Sequence, residues 1–154
     1  MNNMANTTYK ELADKFFNKI LDYNFASGMN EETAYEIAIS YIDAACSKFE
    51  SCTQDLDSRD DVLQEFDCVL TPNNKEILCN YMVIEWLTSN YITTSQALKA
   101  RLSTSDFHAL GQKDMLAKAL EVRDVLKSQN DQLAINKSYK GSELYDIVTN
   151  RKKV

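Results

Sequence analysis

The chain has 154 residues and a formal net charge of −6, the size of one ordinary domain with room for a real core. Its 44% hydrophobic and 26% charged residues exclude a disordered chain, and its acidity argues against general binding to phosphate backbones. With Gly 3 and Pro 1, it lacks the frequent turns of a sandwich, a barrel or a doubly wound sheet, so the composition predicts an all-α fold.

The first helix should open at Thr8-Tyr-Lys-Glu11, a capping box in which the threonine oxygen accepts from a free amide and Glu11 reaches back. Leu12, Phe16, Ile20 and Tyr23 form its apolar stripe. Gly28 supplies a turn, and Asn30 followed by Glu31 and Glu32 starts a second helix with acids where the helix dipole favours them. Ala34, Ile37, Ala38, Tyr41, Ile42, Ala45 and Phe49 give it a well-formed helical period.

Residues 52–61 are polar and acidic and predict a loop. Asp55, Asp57 and Asp61 suggest a calcium loop, but Asp60 and Phe66 stand where its glycine and glutamate belong. The Ser58–Asp61 stretch instead predicts a cap opening a short helix with Val62, Leu63 and Phe66. Thr71-Pro72 is a clear helix start, because proline at the first helical position loses no intrahelical bond. The stretch after it places apolar groups, Trp86 among them, on nearly every face. A helix of that kind is either central to a bundle or shared between neighbours.

Thr94-Ser95 predicts a short helix ending near Leu102, and a turn at 103–106 then carries Phe107. The longest helix should run from about Gln112 to Tyr139, with Leu116, Ala119, Leu120, Arg123, Leu126, Asn130, Leu133 and Lys137 as its stripe. At ~1.5 Å per residue it would span about 40 Å, more than a compact domain of this size needs. Past Gly141, the tail adds Leu144, Tyr145, Ile147 and Val148 and then Arg151, Lys152 and Lys153. The expected organisation is a helical bundle at 1–141, with a long C-terminal helix, and an extended docking tail at 142–154. That tail either folds back on the bundle or lies along another subunit.

No apolar run approaches the ~18 residues of a membrane span, and the first residues lack the pattern of a secretory signal. Cys46, Cys52, Cys68 and Cys79 are too widely spaced for a zinc site and are expected to be reduced, mostly buried thiols of a cytoplasmic protein. His108, the only histidine, has no nucleophile elbow beside it, and Glu85 is expected to sit at the helix edge or to pair with Lys or Arg in the bundle or at an interface. No phosphate-cradling glycine loop, dinucleotide fingerprint or metalloprotease motif is present. Neither catalysis nor a cofactor or metal is expected. Charge is split, with 15 acids and 6 bases in residues 1–77 (−9) and 8 acids and 11 bases in 78–154 (+3). The split is either chance clustering on solvated faces or a sign that copies meet acidic side to basic side.

Several stretches carry a further likeness: the apolar helix around Trp86, the Leu-Ser-x-x-Asp-Phe segment at 102–107, the long partly polar helix and the Tyr-x-Gly tail start at 139–141. Together they resemble the head–tail connector, or adaptor, proteins of tailed bacteriophages, in particular the neck ring proteins of crAss-like phages. The likeness covers about the last half of the chain. It implies a non-enzymatic virion subunit, found in the host cytoplasm during assembly and in the virion neck afterwards. Such subunits form a homo-oligomeric ring, commonly a dodecamer, beneath the portal protein and bind tail or other neck proteins. DNA passes through without sequence-specific binding. Leu144, Tyr145, Ile147, Val148, Arg151, Lys152, Lys153 and Trp86 are then the expected protein-interface residues. The alternative function is a cytoplasmic helical adaptor or regulatory protein that binds one protein partner.

Overall fold

Thr8 begins the first helix as its spacing predicts, its Oγ1 accepting from the Glu11 amide at 3.2 Å. The structure, a computed structural model, describes residues 6–20, 30–93 and 110–140. Its elements in chain order are α1 (Tyr9–Ile20), α2 (Glu31–Lys48), a hairpin of β1 (Arg59–Asp60) and β2 (Glu65–Phe66), α3 (Pro72–Leu87), a π-helical segment (Thr88–Thr93) and α4 (Leu110–Lys140). Asn30 caps α2 by accepting from the Thr33 amide at 2.8 Å, and Thr71 caps α3 by accepting from the Asn74 amide at 3.3 Å. Glu11 does not close the expected capping box. Its carboxylate pairs with Lys75 of α3 at 2.7 Å, exchanging a local bond for one between helices.

The apolar-all-round helix is the central one. α3 packs against α1, α2 and α4, and Ile77, Leu78, Cys79, Tyr81, Met82, Ile84 and Trp86 are buried along it. Phe16 of α1 is fully buried. Its ring lies 5.9 Å from that of Tyr41 and 6.5 Å from that of Trp86, the latter edge-on. Past Leu87 the helix widens. The Thr88 hydroxyl donates to the Ile84 carbonyl at 2.8 Å and the Asn90 amide to the Trp86 carbonyl at 3.1 Å. Side chains that compete for backbone acceptors loosen the regular ladder.

The short helix expected at Val62, Leu63 and Phe66 is a hairpin instead. Asp60 Oδ1 accepts from the amides of Val62 and Leu63 at 2.8 and 2.9 Å, so the cap chemistry is real but turns the chain back. Gln64 follows with φ 55, a left-handed conformation that stops any helix. Residues 7–9 run beside the hairpin: Tyr9 N donates to the Gln64 carbonyl at 2.8 Å, Phe66 N to that of Thr7 at 2.9 Å and Thr7 N to that of Cys68 at 3.2 Å. Buried Thr7 also accepts from the Leu70 amide at 2.9 Å. Phe66, fully buried, stacks its edge on Tyr9 at 5.4 Å.

The 31 residues of α4 make a rod about 46 Å long at ~1.5 Å per residue. It runs antiparallel to α3. Lys137 Nζ donates to Thr71 Oγ1 at 2.7 Å near the start of α3, and Asp131 Oδ1 accepts from Tyr81 Oη at 2.7 Å further along. Of the expected stripe, Asn130 is buried, Leu126 packs half-buried against the core and Lys137 reaches Thr71, while Leu116, Ala119, Leu120 and Arg123 are half-buried. Leu133 does not turn inward; it is 50% exposed, and Ala134, 3% exposed, fills the inward place. Asn130 is 1% exposed. Its amide donates to the Ile77 carbonyl at 3.1 Å and accepts from Asn80 at 3.0 Å, which fixes the register of α4 on α3.

All four thiols are free, with Cys46 and Cys79 buried and Cys52 and Cys68 half-buried. Burial pushes the Cys46 thiol up to about 11 and that of Cys79 up to about 12, from an ordinary 9.0. Unfolding releases both to ionise near the ordinary value. Their contribution to stability is therefore complete below pH 9.0 and lost as pH rises through about 11 and 12. Denaturant midpoints are expected to fall between about pH 8 and pH 10.5, and Cys46→Ala/Cys79→Ala should flatten part of the slope. A pH-independent midpoint would contradict the burial of these thiols.

Candidate protein interface

Two surfaces are built unlike ordinary solvated ones. The first is the outer side of α4. Between Val122 and Tyr139 eleven residues are exposed, and only Asp124 and Lys127 of these are charged. Both already have partners at the margin: Asp124 takes Arg123 at 2.6 Å, and Lys127 takes Asp131 at 2.9 Å. The rest of the outward sector is amides, a serine and five large apolar groups: Val122, Val125, Leu133, Ile135 and Tyr139, from 38% to 58% exposed. A helix exposed to water normally carries alternating charges there. This one has a second, uncharged face opposite the face that packs on α3.

The second surface is the hairpin tip, where Val62 is 92% and Leu63 67% exposed. Turn tips usually carry Gly, Asn, Asp or Ser; here two aliphatics stand side by side. The tip is held firmly. Besides the Asp60 bonds, Tyr9 Oη donates to Asp61 at 2.6 Å, and burial together with that carboxylate raises the tyrosine pKa well above its ordinary value. Arg59 ties the hairpin base to Asp43 of α2. Residues 55–67 hold six acids and one arginine, a net −5, so the aliphatic pair belongs to a strongly acidic segment.

Inside the bundle, the groups that might have suggested chemistry are paired. Glu85 meets Lys48 of α2, which satisfies the expected pairing within the bundle. Desolvation, helped by nearby Lys127 and Arg123, lowers the pKa of Lys48. Desolvation opposes ionisation of Asp131, but hydrogen bonds from Tyr81 and Lys127 outweigh it and hold that carboxyl low. Of the acids in the calcium-loop reading, Asp55 serves a turn, its Oδ1 accepting from the amides of Asp57 and Ser58 at 2.9 and 3.2 Å, and Asp61 accepts from Tyr9. Among the described residues no group of His, Cys, Asp and Glu is placed to hold a metal. No helix among them is long and apolar enough to cross a membrane.

Trp86, expected at an interface, is 8% exposed and fills the core against Phe16. A helix at the centre of the bundle offers its tryptophan to its own neighbours first. Leu144, Tyr145, Ile147, Val148, Arg151, Lys152 and Lys153 lie outside the described residues, as do His108 and the segment from Thr94 to Phe107. The hairpin tip has no counterpart in the sequence reading, which gives Val62 and Leu63 to a short helix. The second half of the long helix, poor in apolar residues, reads from sequence as either a solvated extension or a polar face that meets another subunit. The chain matches no family model, no curated protein and no solved structure.

Proposed function

We propose that this chain is a structural subunit that works by contact with copies of itself and with other proteins, as a head–tail connector ring component of a tailed bacteriophage. The observation that supports the reading most is the second face of α4. Eighteen residues of helix, from Val122 to Tyr139, present apolar and amide groups outward with their marginal charges already paired. Burying such a face against protein stabilises it, whereas in water it gains nothing from salt or charge. The resemblance adds the setting: a ring beneath the portal protein in the virion neck, assembled in the host cytoplasm, with DNA passing through it. The tail beyond Gly141 supplies further contacts through Tyr145 and Ile147, since buried aromatic and aliphatic anchors dominate interface energy.

Light scattering and negative-stain microscopy test this directly. The full chain is expected to form rings alone or on addition of the portal protein. Deleting residues 142–154 is expected to weaken assembly while leaving the helical circular dichroism intact. A chain that stays monomeric at every concentration and ignores the portal overturns the reading. A one-to-one complex with a single cellular protein would favour the adaptor alternative.

A further inference from the structure

We propose that the hairpin tip of one copy seats on the outer face of α4 of the next, so that the two surfaces are the two halves of one repeating contact. The inference rests on the reading that the chain self-associates, and it names the surfaces involved. Val62 and Leu63 project from a tight turn whose backbone is fixed by Asp60, by the left-handed Gln64 and by the Tyr9 amide. A tip so held loses little freedom when it docks.

Charge selects the occupant. Six acids in residues 55–67 make tip-to-tip pairing of two copies repulsive. The tip therefore needs a surface that is apolar in the middle and neutral or basic around it. The outer face of α4 has both properties. Val122, Val125, Leu133 and Ile135 offer apolar contact, and residues 110–140 carry six bases against four acids, a net +2. Lys118 and Lys127, 69% and 53% exposed, stand beside that face, paired with Glu121 at 2.8 Å and Asp131 at 2.9 Å. The acidic N-terminal half (−9) and the basic C-terminal half (+3) of the chain follow the same division. Because knob and seat are different patches of one chain, the contact is heterologous. Each copy uses both, and the series closes into a ring or grows as a filament according to the rotation between neighbours.

The test uses two full-length variants, Val62→Ser/Leu63→Ser with the tip disabled and Val125→Asp with the seat disabled. All three positions are exposed, and unchanged circular dichroism confirms the folds. Sedimentation is expected to show loss of the assemblies for each variant alone, and a two-chain species when the variants are mixed one to one. In that mixture one chain contributes its tip and the other its seat. Assembly of Val62→Ser/Leu63→Ser at the level of the unmodified chain overturns the inference and leaves self-association standing. So does a mixture in which no two-chain species forms. An unmodified chain that never associates overturns the self-association reading itself, and the inference with it.

Discussion

Phe16→Ala is expected to lower the unfolding free energy by about 3–5 kcal/mol, the range for removing a buried aromatic ring from a core that cannot collapse around the gap. Phe16 is fully buried where α1 meets α2 and α3. Its ring neighbours are Phe17 at 5.6 Å, Tyr41 at 5.9 Å and Trp86 at 6.5 Å. Three large rings do not move together to fill the space of a fourth, so the cavity persists. Since a domain of this size has roughly 5–15 kcal/mol in total, the variant should sit close to its unfolding threshold. Urea unfolding followed by tryptophan fluorescence reads the effect twice, through the midpoint and through Trp86 itself. A loss below about 1 kcal/mol would mean that the aromatic cluster is not the centre of this core.

Asn130→Asp is the second large effect, expected at about 3–5 kcal/mol near neutral pH. The amide of Asn130 donates to the Ile77 carbonyl and accepts from Asn80 in a site 1% exposed. Aspartate keeps the shape, removes the donor and points a buried negative charge at a carbonyl oxygen. The sign of the pH dependence follows. Burial raises the folded-state pKa of the new carboxyl above its unfolded value. Its penalty is therefore small below about pH 4, where both states are protonated, and grows as pH rises. The gap between variant and unmodified chain, compared at equal pH, should narrow in acid. A constant gap would show that the site is wet rather than sealed. Asn130→Ala, which leaves Asn80 without its acceptor but introduces no charge, should cost less, about 1–3 kcal/mol.

The helical frame was legible because its signals are local. Thr8, Asn30 and Thr71-Pro72 cap helices through bonds spanning three residues, and such bonds can be read from spacing alone. The all-round apolar character of α3 narrowed its place to the centre of a bundle or a boundary between neighbours, and it packs against α1, α2 and α4. The hairpin was not legible for a physical reason. An aspartate that accepts from the amides two and three residues ahead does the same thing in a turn as at a helix start. What decides between them is the next residue, and here Gln64 takes φ 55. The bonds that reward that choice come from Thr7 and Tyr9, more than fifty residues earlier in the chain. Leu133 was misplaced by one step for a related reason. A stripe drawn on residue type favours leucine, while the close approach of α4 to α3 beside Asn130 accepts the small side chain of Ala134. The outward surfaces were the least legible part, since only the packed helices reveal which residues remain uncovered.

The bonds from residues 7–9 to residues 64–70 also set the order in which the molecule can form. As the chain leaves a ribosome, α1 emerges before α3 with Leu12 and Phe16 bare, and their α3 partners Cys79 and Trp86 follow some seventy residues later. Closing so large a loop comes before its rewards, so the early nascent chain carries an unshielded aromatic stripe that invites chaperones.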